Sequence, residues 1–569
     1  MKRNYLFTIL LTLVGGLFSV SAWAQQRSLS QAAAIAGQLQ SKTPHFTRQE
    51  LTPIGGNLLS LQIGRKKSAS LKPSFALQDQ QPFYVFANEE EGGFVIVAGD
   101  ARLGDVLGYS EDSRFDVADM PDGMADLLLF YANVYASVQS EYYAQEGARK
   151  AFSWTAVAPI VKTKWGQDYP YNAWCPLSNS KRTLAGCGAT AMAQIMKHWN
   201  YPTGGHGSLQ YTTFTKGLNA SFNYDVNTFD WDNMKNSYAS NESASEVAKL
   251  IYACGVSLAM DYTPDWSSSN TLDMAYSLIN IFDYADAKNC IRTYYTADEW
   301  KSMIQTELSA GRPVVYRGAD ANDNNGHIFV VDGVNSSGKL HVNWGWTGNC
   351  DGYFELNNLV PVENNDYRYG HWMVSKISPD EVGDREDVFY ADEFRAFRAQ
   401  HANGYKYVQV EMDNVWNYSN AACQRDPNTK FTGNMGAALY DLSGNFVRWF
   451  CGGEVELQSL YGYSSWYWYI YDFDSQVAEG QYILRPAVCS EETGNVTPIR
   501  TINGMTDKYY LICEDGDIQI TETLPDGIHS IQNSKLKIQN EGVYDLSGRR
   551  LSAPVRGFNV VNGKKVLIK

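Results

Sequence analysis

The stretch Leu184-Ala185-Gly186-Cys187-Gly188-Ala189-Thr190-Ala191-Met192-Ala193-Gln194-Ile195-Met196 constrains this chain more than any other. A cysteine lies between two glycines and opens a run with Met192, Ile195, Met196 and Trp199 at i, i+3, i+4 and i+7, the spacing of one apolar helix face. Cys187 therefore falls at a helix N-terminus, where unpaired N–H groups and the helix dipole favour a thiolate. Gly186 and Gly188 leave room for another chain to approach the sulfur. A small core residue or half of a disulfide is the other reading of a single cysteine, and the rest of the sequence decides between them.

At 569 residues the chain is too long for one core, so several domains are expected. Met1 to Ala24 reads as a secretory signal: Lys2 and Arg3 are the basic start, Leu6 to Val20 the apolar middle, and Ala22-Trp23-Ala24 the cleavage site. No other stretch is long enough to span a bilayer, so a secreted or cell-surface protein without a membrane span is expected. A net charge of -15 argues against a nucleic-acid partner. Nine cysteines, an odd number, leave at least one thiol unpaired or joined between chains. No Cys/His cluster has zinc spacing, so neither a metal nor another cofactor is expected.

Residues 25–150 read as a small α+β domain. Phe83 to Asn88 and Gly93 to Ala98 form a hairpin, and Met124, Leu127, Leu128, Tyr131, Val134, Tyr135 and Val138 mark an amphipathic helix. A polar stretch from Gln145 to Lys150 suits an exposed, cleavable linker. Residues 151–379 carry the chemistry. After the Cys187 helix comes a second, with Val247, Leu250, Ile251 and Cys254 as its stripe and Gly255 as its cap. Thr296 to Glu299 is a capping box. Val314-Val315-Tyr316, Ile328 to Val334 and Leu340 to Trp346 are strands, the last two paired, so that His327 starts one strand while Asn343 and Trp344 lie on its neighbour. In residues 380–523 helical stripes give way to short aromatic strands, which suggests a β-sandwich. Residues 524–569 form a tail that would serve as a sorting segment. The motif Tyr440-Asp441-Leu442-Ser443-Gly444 returns in it as Tyr544-Asp545-Leu546-Ser547-Gly548.

A thiolate hydrolase needs a histidine and oxyanion donors. Of eight histidines, His327 lies 140 residues after Cys187, within the separation of about 130–150 residues found in papain-like enzymes. His198 lies 11 residues after Cys187, about three helical turns and too far to reach the sulfur. Gly326, before His327, leaves room for a substrate backbone.

Four segments, in order, resemble the streptopain (C10) cysteine peptidases. They are Trp165-x-Gln167 with Pro170-Tyr171-Asn172; Gly186-Cys187-x-Ala189-Thr190-Ala191-x-Ala193-Gln194; Gly326-His327-x-Phe329-Val330-x-Asp332-Gly333; and His341-Val342-Asn343-Trp344-Gly345-Trp346. The resemblance implies an α+β, papain-like peptidase domain, preceded by an inhibitory α+β propeptide that displaces His327 or blocks the cleft. It implies Cys187 as nucleophile, His327 as base and Gln167 as an oxyanion-hole donor. Either Asn343 or Trp344 would orient the histidine. Gly326, Ser268 and Trp346 would line the substrate cleft, although Ser268 also suits a helix N-cap. Substrates would be proteins or peptides with an apolar side chain at the second position before the cut. The β-rich extension lies outside the resemblance, and a catalytically inactive adhesin or inhibitor on the same scaffold is the alternative.

Overall fold

The structure, a computed structural model, describes residues 26–43, 46, 50–54, 81–88, 90–139, 152–269, 271–319, 326–356, 371–380, 387–400, 406–419, 429–514, 517–524, 543–544, 550–551, 557–561 and 564–568. The signal at residues 1–24, the linker at 145–150 and the repeated motif at 545–548 lie outside the described residues.

One ten-stranded sheet runs through the first two-thirds of the chain. Its strands are β1 (Thr52–Pro53), β2 (Phe83–Ala87), β3 (Phe94–Ala98), β4 (Val106–Ser110), β5 (Asp286–Ile291), β6 (Val314–Ala319), β7 (Gly326–Val334), β8 (Leu340–Asn343), β9 (Gly352–Phe354) and β10 (Trp372–Ser378). Their spatial order is β1-β2-β3-β4-β9-β8-β7-β6-β10-β5. The small domain read from residues 25–150 thus shares its sheet with the segment that follows. At the junction Tyr109 pairs with Tyr353 and Gly108 with Phe354. A Cβ on Gly108 would stand 2.5 Å from Phe354 Cδ1, so glycine is what lets that ring lie across the strand.

The leading segment packs this sheet between α1 (Leu29–Lys42) and α2 (Asp122–Gln139). All five residues of β3 are buried, because Val95 and Val97 face Ala32 and Ala36 of α1 while Phe94 and Ile96 face the α2 side. The stripe of α2 is buried from Met124 to Val138, as its spacing predicts. That core continues without a break into Trp344, Phe354, Trp300 and Tyr316 of the following segment.

The remaining helices are α3 (Cys187–Trp199), α4 (Ser245–Ser257), α5 (Met274–Asn280) and α6 (Ala297–Ser309). α3 is buried on every side from Gly188 to Met196 rather than along one stripe. Its polar Thr190 and Gln194 must therefore find partners inside the protein. α4 runs through Gly255 to Ser257, so this glycine is not the predicted cap. A Cβ at Gly255 would overlap the Tyr262 hydroxyl, and close approach is its role. The capping box of α6 is present in both directions, a feature worth about 1 kcal/mol.

The described residues between 387 and 521 form two packed sheets, antiparallel except where Tyr390–Ala391 pairs in parallel with Arg500–Thr501. One contains Glu393–Gln400, Lys406–Asn417 and Gly462–Tyr471; the other contains Phe431–Asp441, Phe446–Leu457 and Gly480–Ser490. Val408, Met412, Leu439, Val488 and Leu511 build their common core, so the extension is the sandwich its aromatic strands suggest. It is fastened to the preceding segment by Tyr390, whose ring stacks on Tyr294 at 4.1 Å and whose hydroxyl lies 3.2 Å from that of Tyr295. The fold is α+β throughout the first part and, apart from the short helix Phe473–Gln476, β in the extension.

Candidate active site

Cys187 is the first residue of α3. Its N-cap, Gly186, has φ +92° and lies against Met260; a Cβ there would stand 2.5 Å from Met260 Cε. The space beside this glycine, read from the sequence as room for another chain, thus belongs to Met260, and the positive φ makes the turn into the helix.

His327 enters the site from β7, opposite Gly318 of β6, and is buried. Its ring lies beside the Cys187 thiol, near enough for each group to shift the other's titration. Its Nε2 donates to the Trp344 carbonyl oxygen at 3.0 Å, which leaves Nδ1 for the sulfur. Helix start and strand start therefore meet across the two halves of the segment. Burial alone pushes the Cys187 thiol up. The hydrogen bond and charge of His327, with the N–H groups of Ile328 and Gly188, outweigh it and leave the thiol below its ordinary value. Burial likewise pushes His327 down, but the Cys187 sulfur, the Trp344 carbonyl and Asp122 push it up to about 9. Both shifts describe one thiolate–imidazolium pair.

The two candidates for orienting the histidine separate cleanly. Trp344 accepts from His327 through its backbone oxygen, and its ring packs beside the imidazole with centroids 6.2 Å apart. Asn343 is turned away: its Oδ1 accepts from Gln194 Nε2 at 3.0 Å and from Gly345 N at 3.0 Å, and its Nδ2 donates to the Thr163 carbonyl at 2.7 Å. The reason is the buried Gln194 of α3, which Asn343 and the Thr163 hydroxyl satisfy. Asn343 thus braces α3 against β8 and does not touch the histidine.

Gln167 is buried, and its carbonyl accepts from Ala185 N at 3.0 Å, two residues ahead of Cys187. That bond fixes the Gln167 segment beside the nucleophile loop. Gly326 is exposed at the start of β7, and Arg317 lies on its Cβ side: a Cβ there would stand 2.6 Å from Arg317 Nη2. Ser268 pairs in a short bridge with Asp261 and is not an N-cap; α5 is capped by Asp273. The bridge directly follows Met260, the residue packed against Gly186. Trp346 is half-buried, its ring 6.4 Å from that of His327. Among the described residues no cluster of His, Cys, Asp and Glu could hold a metal ion, and the eight described cysteines carry no disulfide.

The leading segment reaches this site directly, a contact with no clear signal in the sequence. At the start of α2, a Cβ on Gly123 would stand 2.5 Å from His327 Cδ2 and 2.8 Å from the Trp344 ring. Nearby, Asp119 accepts from Trp346 Nε1 at 3.1 Å and, through its carbonyl, from Asn349 Nδ2 at 2.5 Å. His327 is not displaced, contrary to one of the two expectations; the start of α2 leans on its ring instead.

Comparison with known proteins agrees with this arrangement. Residues 165–354 match the Peptidase C10 family, and residues 30–134 match the Spi protease inhibitor family. Streptopain from Streptococcus pyogenes is 32% identical over 313 residues, covering 49% of this chain and 74% of streptopain. The chain belongs to the peptidase C10 family. The thiol protease/hemagglutinin PrtT of Porphyromonas gingivalis is also 32% identical, over 317 residues and 52% of this chain, but the match spans only 36% of PrtT. A prointerpain A fragment from Prevotella intermedia aligns over 54% of this chain and 98% of its own, at 30% identity and a TM-score of 0.47. The C10 match begins at Trp165 and ends at Phe354. It therefore encloses Gln167, Cys187, His327 and Trp344 and stops short of the sandwich. Among the described residues no helix is long and apolar enough to cross a membrane.

Proposed function

We propose that this C10 chain is an exported cysteine endopeptidase made as an inactive zymogen. Cys187 Sγ attacks the carbonyl carbon of a peptide bond. The oxyanion is met by the Cys187 N–H and the Gln167 side chain. His327 gives its proton to the leaving amine, and water, deprotonated by His327, then releases the acyl group. The single observation that carries this reading is the Cys187–His327 pair, with a lowered thiol, a raised imidazole and the Trp344 carbonyl holding the far ring nitrogen.

The inhibitory role falls to residues 25–150. Its support is the match to a protease-inhibitor family and the packing of Gly123 on His327 beside the cleft. Cleavage near Lys150 would release the site. The signal-like residues 1–24 support export. Ser268 and Trp346 would meet the substrate. Mass spectrometry of the purified chain tests the whole reading. Wild type is expected to shorten itself near residue 150 and then cut casein, whereas Cys187→Ala stays full-length and inert. Casein cleavage by Cys187→Ala at the wild-type rate would sink the proposal.

A further inference from the structure

The histidine is oriented by a backbone oxygen, which raises the question of what holds that peptide. Trp344 opens a loop, residues 344–350, with an irregular path: Gly345, Thr347, Gly348 and Cys350 all have φ between +55° and +83°. Such a loop keeps its shape only if its surroundings pin it. Asp119 and the Arg114 carbonyl, which accepts from Cys350 N at 2.9 Å, pin it from the leading segment. Those bonds vanish if that segment is cleaved away. The retained segment still holds the loop at Gly345 N, through Asn343 Oδ1 at 3.0 Å, and at Thr347 N, through the Trp165 carbonyl at 3.1 Å; the bond to the Trp344 peptide itself comes from Asp351. Its Oδ1 accepts from Trp344 N at 2.9 Å, while Trp344 Nε1 donates to the Cys350 carbonyl at 3.0 Å. The loop is thereby closed on itself at its two ends.

We propose that Asp351 is a positioning residue for peptide hydrolysis: its carboxylate fixes the Trp344 peptide, and the carbonyl of the same residue fixes the His327 ring. The inference rests on the peptidase reading above. A carboxylate is a costly way to accept one amide hydrogen in a buried place. Asp351 is 5% exposed, and burial pushes it up to about 7 even though the Trp344 N–H, His341 and Lys164 favour its ionised form and only Asp332 opposes it. At the other end of the relay Cys187 and Asp122 face His327. Asp351 also directly precedes β9, the strand that pairs with β4 of the leading segment. The histidine's anchor and the docking strand are therefore neighbours in the chain.

The test uses the full chain after self-processing, with kcat and KM on a peptide and the pH dependence of Cys187 carboxymethylation read by peptide mass spectrometry. Asp351→Ala is expected to lower kcat by up to about 100-fold with KM held within about twofold. The alkaline limb of Cys187 reactivity should move to lower pH, because the Trp344 carbonyl no longer supports the imidazolium. Asp351→Asn, which keeps an acceptor oxygen, should restore most of kcat. If Asp351→Ala does not fold, Asp351→Glu, which moves the oxygen by one methylene, should show the same kcat loss and shift. Unchanged kcat and pH profile in the folded variants overturns the proposal, as does a loss confined to KM. Inert wild type overturns the peptidase reading instead.

Discussion

His327 and His341 stand fourteen residues apart on neighbouring strands, each with a different main acidic partner, and the difference between them shows what makes an imidazole reactive. His327 meets a thiol at a helix N-terminus, on a half-buried residue. His341 Nδ1 meets Asp332 Oδ1 at 2.6 Å, and the other Asp332 oxygen accepts from Val161 N at 2.9 Å. Asp332 is fully buried and committed on both oxygens. Its pair is a strut between β7, β8 and the strap at Val161. Cys187, by contrast, is only half-buried, so a substrate carbonyl can meet its sulfur.

Breaking each pair should separate the two roles. His327→Ala is expected to cut kcat/KM by about 10⁴-fold or more. Asp332→Ala should instead cost about 3–5 kcal/mol of stability by leaving the half-buried His341 and the Val161 N–H without their partner. Peptide hydrolysis and urea unfolding of both variants read the contrast; equal activity losses at equal stability would erase it.

Acidity sharpens the comparison. Cys187 reactivity should rise below the ordinary thiol range and fall as His327 loses its proton near pH 9. Asp122→Asn should bring that fall to lower pH in the full chain, since Asp122 supports the imidazolium. His341 is also raised, mainly by Asp332 against the opposing effect of burial. Its pair therefore stabilises fully below the ordinary histidine value of about 6.5 and fades as pH rises through the raised folded value. Unfolding of His341→Gln against wild type should show a gap that narrows toward alkaline pH.

The smallest effect concerns the lean of α2 on the site. Gly123→Ala should push the helix start off the His327 ring and raise the rate of Cys187 alkylation in the uncleaved chain several-fold. A rate equal to wild type would show that the contact does not shield the pair.

Much of this was legible from local pattern. The hairpin of β2 and β3, the α2 stripe, the capping box at Thr296 and the strand start at His327 all follow from spacing. Cys187 at a helix start follows from its glycines. What spacing could not show were contacts made across the fold by groups with no pattern of their own. Asn343 faces Gln194 because α3 is buried all round, and nothing local marks that burial. Gly255 looked like a cap; it is instead a gap filled by a side chain from beyond the helix, Tyr262. Trp344 acts through a peptide oxygen that every residue carries, so its identity gave no hint of how it would serve.

The shared sheet has a mechanical consequence. While the leading segment is attached, Gly352–Phe354 is an interior ribbon with neighbours on both sides. Severing that segment would turn these three residues into a rim. Tyr353 would lose the ring of Tyr109, stacked on it at 5.3 Å, and peptide groups bonded to β4 would face water. So short a rim offers little template for a foreign chain to zip onto. Maturation would then expose a seam without making the enzyme sticky.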